Sequence, residues 1–344
     1  MSAAKVYVGM SGGVDSSLTA ALLVEQGYDV TGVYMKNWTQ DLPGMKCPWA
    51  DDLADAKRVA VQLGIDFKVF DFQKEYKQKV VDYMIDEYKT GRTPNPDIMC
   101  NQEVKFKLFL DAAIEDGADM IATGHYAVVE DGVLKRAVDD NKDQTYFLYR
   151  VTHEALKKTL FPLGGMKKSQ VRVEAEKRNL FTASKKESMG ICFVGSVGIR
   201  EFLSQYVDSK TGEIIDIQTN QSVGQHDGAI FLTLGQRHGL NIGGGLPYYV
   251  VGKDIGKNEV YVTQDLNNKE LWRKEVELSD LHWINEQPLE GKKLQVRMRH
   301  RAPLIDAEIH EFKLILSEPQ RAIASGQSAV LYEREVVLGG GIIH

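Results

Sequence analysis

The fold is decided by Val6-Tyr7-Val8-Gly9-Met10-Ser11-Gly12-Gly13-Val14-Asp15-Ser16-Ser17, close to the start of the chain. A short apolar run ends in two adjacent glycines, and helical spacing follows over 16–26, with Leu18, Ala21 and Leu22 on one face and Gly27 as the stop. Strand, glycine turn and helix in that order form the entry unit of a parallel α/β sheet. Adjacent glycines let the backbone turn tightly and approach a ligand with no Cβ in the way. The unpaired amides and the dipole at the start of the helix then favour an anion. Ser16 and Ser17 can add hydroxyl donors. A glycine turn capped by Asp15 or Ser16 is the plainer alternative. SGGxDS directly behind a strand is the more specific pattern, so Gly9, Met10, Ser11, Gly12, Gly13, Val14, Asp15 and Ser16 are read as a phosphate-binding loop. It lacks the lysine of the GxxxxGK[ST] loop.

Moving outward, strand and helix patterns alternate: a strand over 30–35, a helix over 50–63 closed by Gly64, a strand over 65–72 and a helix over 75–89. A helix over 104–115 closed by Gly117 and a strand over 120–123 complete the series. This predicts a doubly wound parallel sheet over 1–205, with its ligand site at the carboxyl ends of the strands. Residues 206–273 are rich in glycine, glutamine and asparagine and predict a small, mainly-β domain. Over 274–344 period-two alternation dominates: Leu294, Val296 and Met298 alternate with Gln295, Arg297 and Arg299. A hairpin over 329–338 turns near Glu333-Arg334, and the region predicts a C-terminal β-barrel.

The composition, 43% hydrophobic and 26% charged over 344 residues, is that of an ordinary globular chain long enough for two or three domains. No window approaches the roughly 18 apolar residues of a membrane span, and no secretory segment opens the chain, so a cytoplasmic protein is expected. The net charge of −6 does not advertise nucleic-acid binding, although a local basic surface can act within an acidic whole. Three cysteines, Cys47, Cys100 and Cys192, are too few for a disulfide framework and have no zinc-ligand spacing, so no metal site is expected in the protein itself.

Cys100 follows Thr93-Pro94-Asn95-Pro96-Asp97-Ile98-Met99, with Asn101 read as the cap of the next helix. A thiol beside a helix N-terminus gains thiolate character, and Asp97 is in position to exchange protons there. Read alone, Cys100 is equally a loop cysteine packed beneath the prolines. Cys192 lies in Ser184-Lys185-Lys186-Glu187-Ser188-Met189-Gly190-Ile191-Cys192-Phe193-Val194-Gly195, where two lysines favour a thiolate and a short buried strand is the plainer reading. Arg297, Arg299 and Arg301 alternate around His300 and would give one strand face three cations. His125 receives no chemical role, and Cys47 is read as structural.

The loop resembles the PP-loop of the ATP pyrophosphatases. That resemblance implies cleavage of ATP between its α and β phosphates, with Mg²⁺ on the pyrophosphate and AMP left on a substrate oxygen. GMSGGVDSS at 9–17, TPNPDIMCNQEVKF at 93–106, ATGHYA at 122–127 and KDQTYFL at 142–148 go further. With SKKESMGICFVG at 184–195, GQRHGL at 235–240 and the terminal LGGGII, they closely resemble the tRNA-specific 2-thiouridylases of the MnmA type, in order along nearly the whole chain. The resemblance implies that Cys192 receives sulfur as a persulfide from a donor protein, a cysteine desulfurase or sulfur relay protein. ATP would adenylate the 2-carbonyl oxygen of the wobble uridine. Cys100 would release the sulfur and leave a Cys100–Cys192 disulfide, and Asp97 would handle the proton. Met35 and Gly124 are implied in the nucleotide pocket. Asn95, Pro96, Asp97, Lys142, Asp143, Gln144, Arg299 and His300 are implied in tRNA contact. Two other readings remain: a synthetase with an amine nucleophile, and a domain that senses ATP without catalysis. Neither gives two cysteines a task.

Overall fold

The computed structural model describes residues 3–41, 47–186, 193–194, 198–243 and 245–344. Cys192 therefore lies outside the described residues. The first layer is a parallel sheet built on β1 (Lys5–Gly9), β2 (Asp29–Lys36), β3 (Asp66–Asp71) and β4 (Met120–Ala122). A hairpin of β5 (Val128–Glu130) and β6 (Val133–Lys135) follows, and β7 (Thr159–Leu160) closes the sheet in the order β3-β2-β1-β4-β7. β1 pairs with β2 on one side and β4 on the other, with Val6 opposite both Val30 and Met120. Helix α1 (Val14–Glu25) leaves β1 through the glycine loop, and α2 (Trp49–Leu63) ends at Gly64, which sits at a left-handed φ of 67°. The strand order reverses beside β1, so a crevice opens at the carboxyl ends of β1 and β4.

Four strands, β8 (Gly212–Asp216), β9 (Gln221–His226), β10 (Tyr249–Asp254) and β11 (Glu259–Thr263), form the small second sheet. The last part is a barrel of β12 (Trp272–Trp283), β13 (Lys293–Arg297), β14 (Ile305–His310), β15 (Lys313–Arg321), β16 (Ser328–Glu333) and β17 (Val336–Ile343). It is closed by pairing of β12 with β17. The parallel sheet, the small β domain and the barrel are the architecture expected from the sequence. One feature was not foreseen: the β5–β6 hairpin leaves the first domain and joins the barrel sheet through Lys135 opposite Val336.

Two further expectations are corrected. The helix expected over 104–115 begins at Pro96 and runs through to 115, wound as a π-helix over Cys100–Leu108. Its cap is Asn95, whose side chain accepts from the Asp97 amide at 3.2 Å, and Pro96 takes the first helical position, where a missing N–H costs nothing. Asn101, the expected cap, is buried within the helix and donates to the Phe147 carbonyl at 3.0 Å. Nor do the three arginines share a strand face. β13 ends at Arg297, which is buried with its guanidinium 3.0 Å from the Asp143 carboxylate, and the chain then turns, with Arg301 at a φ of 64°.

The loop that precedes Asp97 is held by both accessory units. The Thr93 amide donates to the Ser325 carbonyl at 2.8 Å, and Gln327 Nε2 donates to the Thr93 carbonyl at 2.7 Å. The Thr93 hydroxyl lies 3.3 Å from that of Thr233. The buried Asp143–Arg297 pair, with Arg136 Nε 3.9 Å from the same carboxylate, ties the first domain to the barrel in the same way. Removing one partner of a buried pair strands the other charge. Arg297→Met is therefore expected to destabilise folding by about 3 kcal/mol, read as a fall in denaturant midpoint, and the further change Asp143→Asn to restore part of it.

Candidate active site

The glycine loop has no slack. Gly12 has a φ of +72°, and a Cβ there would collide with the Asp52 carbonyl of α2. On the other side, a Cβ on Gly124, just beyond β4, would lie 2.9 Å from the Asp15 carbonyl carbon and the Ser16 amide. Inside the loop the Ser11 amide donates to Ser16 Oγ at 3.1 Å, and Ser16 Oγ donates to the Gly13 carbonyl at 3.2 Å. The Ser17 hydroxyl also turns inward, onto the Gly13 carbonyl at 2.8 Å, and so is not the ligand donor expected. Asp15 accepts from the Tyr126 hydroxyl at 2.8 Å and from Lys168 Nζ at 2.7 Å.

A cavity of about 400 Å³ opens beside this loop. Gly9, Met10, Ser11, Asp15 and Ser16 line it from the loop, Met35 from the end of β2, and Gly124 from the far wall. Asp97 and Cys100 line it from the helical run 96–115. A second cavity of about 370 Å³ shares Ser11, Asp15, Asp52, Gly124 and Gln144 with the first, and adds Gly13, Val14, Lys142, Lys185, Lys186, His300 and Arg301. One trough therefore runs from the nucleotide loop to a cationic mouth. Gly12 lines neither part; it shapes the turn.

Burial raises the Asp97 carboxyl above its ordinary value, and the Lys105 charge partly opposes this. His300 is depressed to about 4, mostly by burial and then by Arg301 and Arg297, so its ring is neutral at pH 7. It packs on Phe147 with ring centroids 4.5 Å apart. Burial pushes the Cys47 thiol up, and its Sγ lies 3.6 Å from the Trp38 carbonyl.

Some expected tRNA contacts sit elsewhere. Asp143 is buried with its carboxylate taken by Arg297 and by the Thr145 hydroxyl at 2.9 Å, so it supports the 142–144 segment from beneath and presents no oxygen to a ligand. Pro96 is buried and Asn95 is occupied as the cap. Arg299 is exposed, outside the trough, and donates to the Ala322 carbonyl at 2.6 Å. Sequence reading missed Asn37, Trp38 and Lys105 on the cavity wall. Asn37 Oδ1 and Trp38 Nε1 are buried without hydrogen-bond partners among the described residues, which buried polar atoms rarely tolerate. The available signal was position: both directly follow β2 at its carboxyl end. Just upstream of the last cysteine, Lys185 bonds Asp52 at 2.9 Å and Asp55 at 2.7 Å on α2.

The fold and the trough define a nucleotide-loop α/β enzyme carrying two β domains. Family models agree over almost the whole chain: the tRNA methyl transferase HUP domain over 4–196, the tRNA methyl transferase PRC-barrel domain over 200–264, and the aminomethyltransferase beta-barrel domain over 273–343. The chain belongs to the tRNA-specific 2-thiouridylase family. It is 45% identical to the tRNA-specific 2-thiouridylase MnmA of Enterococcus faecalis and 46% identical to that of Streptococcus uberis, in each case covering 98% of this chain and 95% of the relative. Among solved structures, the U34-tRNA thiolase NcsA of Methanococcus maripaludis is 18% identical, covering 60% of this chain and 66% of that one, with a TM-score of 0.39. No helix among the described residues is long and apolar enough to cross a membrane.

The raised Asp97 carboxyl has a consequence for stability. A carboxyl whose folded pKa is raised favours folding when protonated, and loses that contribution as pH rises through the folded value. At neutral pH the ionised group is therefore a cost that asparagine does not carry. Asp97→Asn is expected to melt higher than wild type at pH 7.5, and the gap to close as pH falls below about 4. Equal differences at both pH values would remove the burial argument.

Proposed function

We propose that this enzyme uses ATP to replace the 2-oxygen of the wobble uridine of tRNA with sulfur, in the cytoplasm. The observation that carries the reading is that loop residues Ser11 and Ser16, the acid Asp97 and the thiol Cys100 line one cavity of about 400 Å³. The family relationship supplies the substrate class. The cationic mouth, with Lys142, Lys186 and Arg301, suits the phosphates flanking a base splayed out of its stack.

The chemistry follows from what each group can do. The uridine O2 attacks the α-phosphorus of ATP, pyrophosphate leaves, and the N3 proton passes to Asp97. The adenylate makes the 2-oxygen a good leaving group. Cys192 carries the incoming sulfur as a persulfide, accepted from a sulfur-donor protein. The Cys100 thiolate attacks the Cys192 Sγ, the S–S bond breaks, and hydrosulfide is released as a Cys100–Cys192 disulfide forms. Hydrosulfide adds to C2, AMP departs with the oxygen, and Asp97 returns a proton to N3 as the sulfur loses its own. An external dithiol reduces the disulfide and resets the enzyme.

Among the described residues no cluster of three metal-ligating side chains is present, and Asp15 and Asp52 are each neutralised by a lysine. An Mg²⁺ ion would arrive on the ATP phosphates, and Asp15, which lines both parts of the trough, is the carboxylate in reach of it. When bound, it neutralises pyrophosphate. An amine-nucleophile synthetase would leave Cys100 on the cavity wall without a task.

Cys192→Ala is expected to abolish 2-thiouridine, followed by mercury-gel mobility and nucleoside mass spectrometry, while tRNA-dependent pyrophosphate release continues. Wild-type thiolation by that variant would sink the sulfur-carrier assignment.

A further inference from the structure

The function proposed above gives no task to a half-buried cation on the cavity wall. Lys105 lines the same cavity as Asp97 and Cys100, together with His125. Its Nζ lies 3.5 Å from His125 Nε2. An ammonium can only donate, so Nε2 accepts, the imidazole proton sits on Nδ1, and Nδ1 donates to the Thr123 hydroxyl at 2.7 Å. His125 is itself locked: its ring packs on Phe106 and Phe161, with centroids 5.6 and 6.1 Å away, and those two rings touch each other at 5.7 Å. Burial, with the Lys105 charge second, lowers its pKa well below the ordinary value and keeps it neutral.

The helix explains how Lys105 reaches this place. Cys100–Leu108 is π-wound, and π-winding bonds residue i to i+5. Residues five apart therefore stack on one face, whereas α-winding would turn the second well away from the first. Cys100 and Lys105 are five apart. The π segment aims a thiol and a cation into one cavity, with the Asp97 carboxylate within Coulombic range of the cation.

We propose that Lys105 is the cation that stabilises the negative charge the uracil ring acquires when sulfur adds to C2, and that His125 is the positioning residue that holds it there. The inference rests on the thiolation reading given above. Addition of hydrosulfide to C2 places an electron pair on N3 until AMP departs, and a fixed cation in a part-desolvated site is the ordinary means of lowering that barrier. Lys105 forms and breaks no bond. Its charge also acts on the Asp97 carboxylate and opposes part of the effect of burial there.

The test uses full-length enzyme, ATP, sulfide and unmodified tRNA. Lys105→Met is expected to lower the turnover number for 2-thiouridine about 100-fold while the KM for ATP and tRNA-dependent pyrophosphate release stay within about twofold of wild type. Lys105→Arg should recover to within about tenfold of wild type, because it restores charge at similar length. His125→Phe, which keeps the aromatic packing and removes the acceptor, should lose about tenfold in turnover at unchanged KM for ATP. Wild-type turnover in Lys105→Met overturns the proposal. If that variant does not fold, Lys105→Gln and Lys105→Arg are compared, and equal activity in the two overturns it. Failure of the wild type to make any 2-thiouridine would instead defeat the thiolation reading itself.

Discussion

Two absent side chains, at Gly12 and Gly124, fix how closely three elements meet. The phosphate loop touches α2 through the Asp52 carbonyl and the end of β4 through Gly124, both at distances that no Cβ fits. Everything in the trough is referred to that contact. Because α2 comes so close, Asp52 can hold Lys185, so the segment leading to the last cysteine starts from a point fixed against the nucleotide loop. Because Gly124 comes so close, His125 and Thr123 follow at a set depth in the cavity wall. Close packing of backbone on backbone leaves less freedom than side-chain contacts would, since neither side can swing away.

The second constraint is the winding of the helical run 96–115. It begins with an Asn–Pro cap in the expected chemical style and then departs from α geometry at the cysteine. An α-helix would satisfy the same backbone groups with better contacts. The wider turn is retained where Cys100 and Lys105 must share a face. A π segment also lies at Lys77–Asp82 in the neighbouring run, and its Lys79 meets Glu103 of the 96–115 run at 2.5 Å. The two irregular stretches lie against each other, which is how a locally unfavourable winding is kept in place.

Much of this was legible in the sequence, and the parts that were not share a cause. Strand, glycine loop and helix at 6–26 announced the sheet because glycine punctuation and apolar periodicity are local signals. Cys100 and Asp97 are singled out by the family resemblance; on local features alone Cys100 reads equally as a loop cysteine packed beneath the prolines. The helix start was misjudged: Asn95-Pro96 is a cap signal, but the prolines around it read as loop. π-winding is invisible to a 3.6-residue template, so nothing in the sequence marked Lys105. Asp143 and Arg297 read as surface charges because each stands among polar or alternating residues in the sequence; only the tertiary fold brings residues 154 apart into one buried pair. His125 alone gave no signal, and its meaning depends on Lys105.

The hairpin of β5 and β6 carries a different consequence. It is made early in synthesis, yet the strand it pairs with, β17, is the last of the chain. Lys135 faces Val336, and Arg136 donates its amide to the Glu335 carbonyl at 2.8 Å, so the outer edge of β6 waits until both β domains have emerged. During that interval an unpaired strand edge stands open on a folded α/β domain, and such edges recruit other chains. A polypeptide cut short before β17 does not simply lack its barrel. It displays an adhesive border, and association between nascent copies is the failure to which this order of assembly exposes the enzyme.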